Sequence, residues 1–225
     1  MIADLRRDEI VRLVLLGAPG SGKGTQAGFL KAQYDCVHVS TGDILRKHLQ
    51  EKTELGLRAE TFMNEGELVP DAVIIDMMGE RLRKDDVAKG FLMDGFPRDI
   101  QQAEAFDKML KEMGYRLDAA LLIDVAEEII IRRLTNRRTC RACGKILSLL
   151  DVAPGTNNCL DCGGELYHRD DDSVQVIRHR LEVYKERTEP LIAWYEGKGL
   201  LRAVEVLDHY KPEDTFREVK VALGL

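Results

Sequence analysis

The sequence predicts an α/β fold: a parallel sheet with helices on both faces. Three observations lead there. Short apolar runs recur at 10–16 (IVRLVLL), 36–39 (CVHV), 91–94 (FLMD), 119–124 (AALLID) and 201–206 (LRAVEV), and continuous apolarity over so few residues marks strands buried on both faces. Helical patterns separate these runs, the alternation that parallel strands require. A glycine-rich loop, GAPGSGKGT (17–25), follows the first run directly and leads into a helix.

The elements follow in order. After the loop, a helix is predicted from Thr25 to Gln33. TGDILRKHLQ and LGLRAETFMNEG give two short helices after the second run, the latter ending at Gly66. A longer helix spans Pro70 to Arg83, with proline in its first turn and Asp71 beside it, where a carboxylate complements the helix dipole. Asp99 caps a helix that reaches Gly114. Residues 139–168 break the rhythm with two cysteine pairs and several glycines, and read as an inserted subdomain. A long helix from Asp171 to Gly197 restores the pattern, and a last one runs from Pro212 towards Leu225.

A chain of 225 residues, 44% hydrophobic, sustains one full core with one or two small insertions. A net charge of -6 argues against a polyanion binder that works by overall charge, so any anion is met locally. No stretch reaches the roughly 20 apolar residues that span a bilayer, and the first ten residues lack the apolar segment of a signal peptide. A cytoplasmic protein is expected, with those ten residues a frayed extension before the core. Five cysteines in a reducing compartment are metal ligands or buried thiols before they are disulfides.

A glycine-rich turn between strand and helix lets consecutive N–H groups converge on phosphate oxygens, and Lys23 adds a charge for the β and γ phosphates. Gly20, Ser21, Gly22, Lys23, Gly24 and Thr25 are therefore candidates for binding a nucleoside triphosphate. The hydroxyl that usually follows this lysine is displaced by Gly24 to Thr25. A carboxylate at the end of a neighbouring strand is the natural substitute for Mg²⁺, and Asp94 closes FLMD at the edge where open α/β sheets bind ligands.

Residues 132–141, RRLTNRRTCR, hold five arginines and no acid. Like charges this close repel one another, so an anion should compensate them, and a transferring phosphoryl group is one. A nucleic-acid patch is disfavoured because the stretch lacks interleaved aromatics. Cys140 and Cys143, then fifteen residues, then Cys159 and Cys162 match a four-thiolate, zinc-ribbon type of Zn²⁺ site with a glycine after each pair. A complete ligand set makes the metal structural; a redox disulfide pair is the alternative. Cys36, in an apolar run, reads as an inert buried thiol.

GAPGSGKGTQA (17–27), STGDILR (40–46), GELVPD (66–71), DGFPRDIQQ (94–102) and the arginine stretch followed by RDDD (169–172) together resemble the adenylate kinase family, over nearly the whole chain. The resemblance implies a P-loop NTPase fold with a five-stranded parallel sheet, a helical NMP-binding flap and a small zinc-ribbon-like lid. The implied division is 1–39 core, 40–69 flap, 70–135 core, 136–172 lid and 173–225 core. It implies Mg²⁺-dependent reversible transfer, ATP + AMP = 2 ADP, in adenine nucleotide homeostasis. It also explains the GKGT spelling, with Asp94 orienting the waters around Mg²⁺.

The resemblance makes Arg46 and Arg98 clamps on the AMP phosphate, which suits the guanidinium fork. Thr41 and Gln102 fall where the family reads the adenine of AMP, and Glu67, Leu68, Val69 and Gly95 line the same pocket by their backbone. Arg133 and Arg137 are assigned to ATP, and Arg169 and Arg180 to phosphates across the gap; Lys23, Arg98, Arg133, Arg169 and Arg180 are the catalytic set. Arg132, Arg138 and Arg141 are read as solvated. Where zinc-bearing relatives show a polar residue and Tyr, this chain has Ile146 and Leu147, so aliphatic carbons are expected against the donor base, with backbone contacts near Lys211. ATP, AMP and ADP are the implied partners of a monomer, with neither nucleic acid nor membrane. The residues alone leave open a UMP/CMP or GMP kinase and a nucleotide-sensing zinc protein.

Overall fold

The computed structural model describes residues 11–225. Ile10 and the expected frayed extension lie outside the described residues. Five parallel strands, β1 (Arg12–Leu16), β2 (Val37–Ser40), β3 (Phe91–Asp94), β4 (Ala119–Val125) and β8 (Leu201–Val206), form a sheet in the order β2-β3-β1-β4-β8. Both faces are apolar because the central strands β1, β3 and β4 alternate between two cores. Leu13 and Leu15 of β1 pack with Leu92, Leu121, Ile123 and Val204. Val14 and Leu16 pack on the other side with Phe91, Met93, Ala120 and Leu122.

The helices divide accordingly. α1 (Lys23–Gln33) and α9 (Pro212–Leu223) cover the first face through Ala27, Leu30, Val219 and Leu223. α4 (Asp71–Leu82), α5 (Ile100–Glu112) and α8 (Pro190–Gly197) cover the second, where Phe106 meets Phe91 and Phe96 edge-on at centroid distances of 6.0 and 5.4 Å. α2 (Thr41–Gln50) and α3 (Glu54–Glu65) stand between β2 and α4. Ser40 and Thr53 cap them, accepting from the N–H groups of Asp43 and Gly56.

α6 (Glu127–Thr135) leads into a second, antiparallel sheet of β5 (Arg137–Cys140), β6 (Ile146–Ser148) and β7 (Leu166–Tyr167), ordered β6-β5-β7. Its buried interior is small: Cys140, Leu147 and Cys159.

The long helix expected from Asp171 to Gly197 is interrupted. α7 (Val174–Val183) starts only after Ser173, whose Oγ accepts from the Val176 N–H. A π-helical turn (Tyr184–Thr188) then joins it to α8, with the Glu189 N–H donating to the Tyr184 carbonyl at 2.9 Å. Pro190 supplies the reason. It has no N–H for the carbonyl four residues back, and its ring would collide there, so the turn before it widens.

Candidate active site

Strand register brings the motifs to one edge of the sheet. Asp94 pairs with Leu15 on one side and with Ser40 on the other, so the glycine-rich loop, the 40–46 segment and the loop after β3 all leave from the same end. The connections from β1 and β3 run to opposite faces, and the crevice between them is the switch point where such sheets bind ligands.

The loop is shaped by backbone that only glycine adopts without strain. Gly20 has φ +82°, and a Cβ there would lie 2.6 Å from Leu134 Cγ, so the loop presses directly on α6. Gly22, φ +102°, sits at the N-cap of α1, and nothing stands within 4 Å of a Cβ there. That leaves the helix N-terminus clear for an anion. α1 begins at Lys23, two residues earlier than expected. Lys23 Nζ donates to the carbonyls of Gly17 (2.8 Å) and Ala18 (2.9 Å). Burial, with Arg98, Arg180 and Arg137 nearby, lowers its pKa to about 8 against the pull of Asp94.

Burial works most strongly against ionisation of Asp94. Even so, the hydrogen bond from His38 Nε2 to Oδ2 (3.2 Å), Lys23 and Arg98 together hold its carboxyl below the usual range. A Cβ on Gly24 would stand 3.6 Å from the same oxygen, so Asp94 looks onto the start of α1. One ionised carboxylate beside a phosphate loop fits a magnesium ion that keeps most of its waters.

Thr41, Arg46, Glu67, Leu68, Val69, Gly95, Arg98, Gln102 and Arg180 all line a single cleft of about 590 Å³. Its apolar wall, Leu45, Met63 and Ile74, was not anticipated. Arg46 donates to Asp43 (2.6 Å) and lies over Gly42, where a Cβ would approach Nη2 to 2.9 Å. Arg98 Nε donates to the Gly95 carbonyl (3.0 Å), and its pKa falls to about 10 through burial and the facing Arg180. Gln102 is buried: its Nε2 donates to Asp71 Oδ1 (2.7 Å) and its Oε1 accepts from the Arg98 N–H (2.9 Å).

Arg169 does not line the cleft. It is buried with its Nε donating to Thr139 Oγ1 (2.9 Å), and burial together with Arg46 and Arg137 lowers its pKa to about 10. Arg180 donates to Asp171 Oδ2 (2.8 Å), and Arg137 grips the fully buried Asp172 with two bonds of 2.7 and 2.5 Å. Asp171 and Asp172 are thus counter-charges missed in the sequence, although three acids following the arginine stretch were a signal. Arg133 Nη1 donates to the Ser21 carbonyl (3.3 Å).

The arginines read as solvated stay largely so at Arg132 and Arg141, whose side chains are 50% and 59% exposed even beside their acidic partners. Arg132 pairs with Asp208, Arg138 donates to the Thr135 and Arg137 carbonyls, and Arg141 pairs with Glu165 while lying 4.5 Å from the Tyr167 ring centroid. Ile146 is exposed, whereas Leu147 is buried in the small interior beside Cys140 and Cys159. Lys211 is taken up by a capping box. Its N–H donates to Asp214 Oδ2 and its carbonyl accepts from the Asp214 and Thr215 N–H groups, so its backbone has no spare donor for a base.

The four sulfurs of Cys140, Cys143, Cys159 and Cys162 lie within 4.8 Å of one another, with Cys140 to Cys162 at 3.5 Å and Cys143 to Cys159 at 3.7 Å. Four thiolates on Zn²⁺ at about 2.3 Å stand about 3.8 Å apart, so the set fits a tetrahedral ion. Each pair sits in a matching turn, with the Gly144 N–H on the Cys140 carbonyl (3.0 Å) and the Gly163 N–H on the Cys159 carbonyl (2.9 Å). A Cβ on Gly164 would come 2.9 Å from Cys140 Sγ, so close packing around the sulfurs depends on a bare backbone there. The fifth cysteine, Cys36, is buried, and its thiol is pushed up to about 11 by burial and by Asp35.

One contact ties α7 to the segment after α3. His179 Nε2 meets Glu67 Oε1 at 2.6 Å, and Glu182 faces Nδ1 at 3.6 Å. The hydrogen bond to Glu67 raises the His179 pKa above 6.5. A raised folded value means the contact is fully present below pH 6.5 and is lost as pH rises through that value. Both partners are substantially exposed, so the effect should be about twofold. Hydrogen exchange of 54–69 is expected to quicken modestly with pH beyond its intrinsic dependence, and Glu67→Gln should remove that excess.

Among the described residues, no helix is long and apolar enough to cross a membrane. The family model described as adenylate kinase matches residues 15–200. An adenylate kinase of Caldicellulosiruptor bescii is 47% identical over 216 residues, covering 96% of this chain and 100% of its own. One from Thermodesulfovibrio yellowstonii is 51% identical over 195 residues (86% and 91%), and one from Archaeoglobus fulgidus 49% over 196 (87% and 90%).

Proposed function

The chain belongs to the adenylate kinase family and is a nucleoside monophosphate kinase catalysing ATP + AMP = 2 ADP; from that premise we propose how its residues share the reaction. MgATP lies with its β and γ phosphates in the loop from Gly20 to Thr25. Lys23 meets the phosphates as an ammonium, and Asp94 would orient the waters of a magnesium ion entering with the substrate. The ion neutralises phosphate charge. Arg46 and Arg98 hold the AMP phosphate, and Thr41 and Gln102 hold its base.

An oxygen of the AMP phosphate attacks the γ-phosphorus in line, and the bond to the β–γ bridging oxygen breaks, leaving ADP on both sides. No general base is needed, because the attacking oxygen is already anionic. Arg133, Arg169, Arg180 and Arg137 neutralise charge on the group in transfer. Residues 40–69 act as the flap and 136–172 as the lid, and their closure excludes water, which would otherwise compete as acceptor. The donor base rests on Ile146 and not on Leu147, which is occupied in the lid interior. Zn²⁺ on the four cysteines holds the lid in shape. The protein works as a cytoplasmic monomer in adenine nucleotide homeostasis; five cysteines outside any disulfide support the reducing compartment.

The convergence of nine acceptor residues on one cleft carries this reading. Phosphorus NMR of the full chain with MgATP and, separately, AMP, GMP, CMP and UMP tests it. Rapid ADP formation with AMP alone is expected. Comparable transfer to another monophosphate would overturn the roles given to Thr41 and Gln102.

A further inference from the structure

Gln102 is held by two neighbours of opposite hydrogen-bonding character. Asp71, at the start of α4, presents a carboxylate oxygen to Nε2 (2.7 Å), and the Arg98 backbone presents an N–H to Oε1 (2.9 Å). An ionised carboxylate only accepts and a backbone N–H only donates, so neither tolerates a flipped amide. A flip would set Oε1 against the carboxylate and the amino group against the N–H. One Nε2 hydrogen and one Oε1 lone pair remain for a ligand.

Asp71 and the N-cap residue of α5 share a cation. Arg187 Nη2, in the π-helical turn, donates to Asp99 Oδ2 (2.6 Å) and approaches Asp71 Oδ2 (3.5 Å), while Asp99 Oδ1 accepts from the Gln102 N–H (2.9 Å). The widened turn that relieves Pro190 carries Arg187 to both acids. Only 16% of the Asp71 side chain and 10% of that of Asp99 are exposed, so both carboxylates are held in place away from solvent.

We propose that Asp71, steadied by Arg187, is a positioning residue that locks the Gln102 amide and so makes the acceptor pocket selective for 6-amino over 6-oxo purines. This rests on the reading of the cleft as the AMP site. Adenine offers an amino donor at C6 and an acceptor at N1, which match an amide oxygen and an amide N–H. A 6-oxopurine offers the reverse, an acceptor at C6 and a donor at N1, and would require the flipped amide. The lock makes that flip costly, so rejection comes from two unmatched buried polar pairs as well as from weaker attraction.

Inosine monophosphate is the decisive probe, because it has the 6-oxo edge without the 2-amino group that would add a steric objection. With the full chain and saturating MgATP, Asp71→Asn is expected to lower the ratio of kcat/KM for AMP to that for inosine monophosphate by about tenfold. The loss on AMP should fall mainly in KM, with KM for MgATP within about twofold. Arg187→Gln should shift the ratio the same way by less, and serves if Asp71→Asn does not fold. An unchanged ratio in the folded Asp variant, or in Arg187→Gln if that alone folds, would overturn the lock, provided Gln102→Ala does weaken AMP. If Gln102→Ala leaves AMP kinetics unchanged, the reading of Gln102 fails first and the lock with it.

Discussion

Replacing Arg98 with alanine should lower kcat/KM for AMP by about 10² to 10³-fold while MgATP binding changes little, since removing one partner of a desolvated, hydrogen-bonded charge pair, here the guanidinium that holds the AMP phosphate, costs about 2 to 5 kcal/mol. The guanidinium is not a loose surface charge. Its Nε is committed to the Gly95 carbonyl at 3.0 Å, and a Cβ on Gly95 would come within 3.2 Å of Nη2, so the fork is aimed from a fixed base. Arg98→Lys should recover little, because an ammonium offers no planar fork for two phosphate oxygens. Stability should move the other way. Burial and the facing Arg180 already depress the Arg98 pKa to about 10, so this charge sits in an environment that penalises it until phosphate arrives. The alanine variant should therefore melt at the same temperature as the wild type or slightly above it. Steady-state kinetics with each substrate varied, calorimetric titration of MgATP and a thermal melt check the three statements. Unchanged AMP kinetics would remove Arg98 from the acceptor site.

The same residues explain why some of the site was legible and some was not. FLMD and LRAVEV became strands at their expected limits, Phe91–Asp94 and Leu201–Val206: the first is buried on both faces and apolar up to Asp94, whereas the second lies at the sheet edge, where Arg202 and Glu205 interrupt the apolar residues and Val204 and Val206 are the buried ones. CVHV slipped by one residue to Val37–Ser40, since the Cys36 N–H turns back to the Tyr34 carbonyl at 2.8 Å. Most of the residues that line the cleft stand in the segments that carry the resemblance, STGDILR, GELVPD and DGFPRDIQQ, which combine glycines with charge. What escaped depends on tertiary burial or on local competition for backbone groups. Leu147 looked available to a base until the lid interior took it. Lys211 looked like a free loop residue, although proline after it and Asp214 three places on already spelled a capped helix start. Asp71 was read only as a helix-dipole residue; that its Oδ1 would accept from Gln102 required the packing of α4 on α5.

Removing the metal from the four-cysteine site should unfold the lid while the core stays folded. The buried interior of the lid comprises Cys140, Leu147 and Cys159, and two of these three are themselves ligands. So few apolar groups cannot offset the conformational entropy of ordering a segment of this length, at about 1 to 2 kcal/mol per residue for the backbone alone. Zinc binding to small modules contributes about 10 to 16 kcal/mol, far more than the burial of Leu147 can, so the metal is the main term that holds the segment in one shape. The core does not share this dependence, because its two apolar layers lie on either side of the five-stranded sheet, away from β5, β6 and β7. One zinc per chain is therefore expected by elemental analysis. Chelation should split thermal unfolding into an early, small step and a later, large one. Hydrogen exchange should quicken over 137–167 and stay slow in β1 and β4. Transfer should drop by more than tenfold, since Arg137 lies in β5 and Arg169 just beyond β7, and a molten lid presents neither. Cys143→Ser, at an exposed ligand, should reproduce these changes in weaker form. A metal-free protein that keeps exchange protection across β5, β6 and β7 would show that the lid's own contacts suffice, and that the thiolate cluster serves something other than its fold.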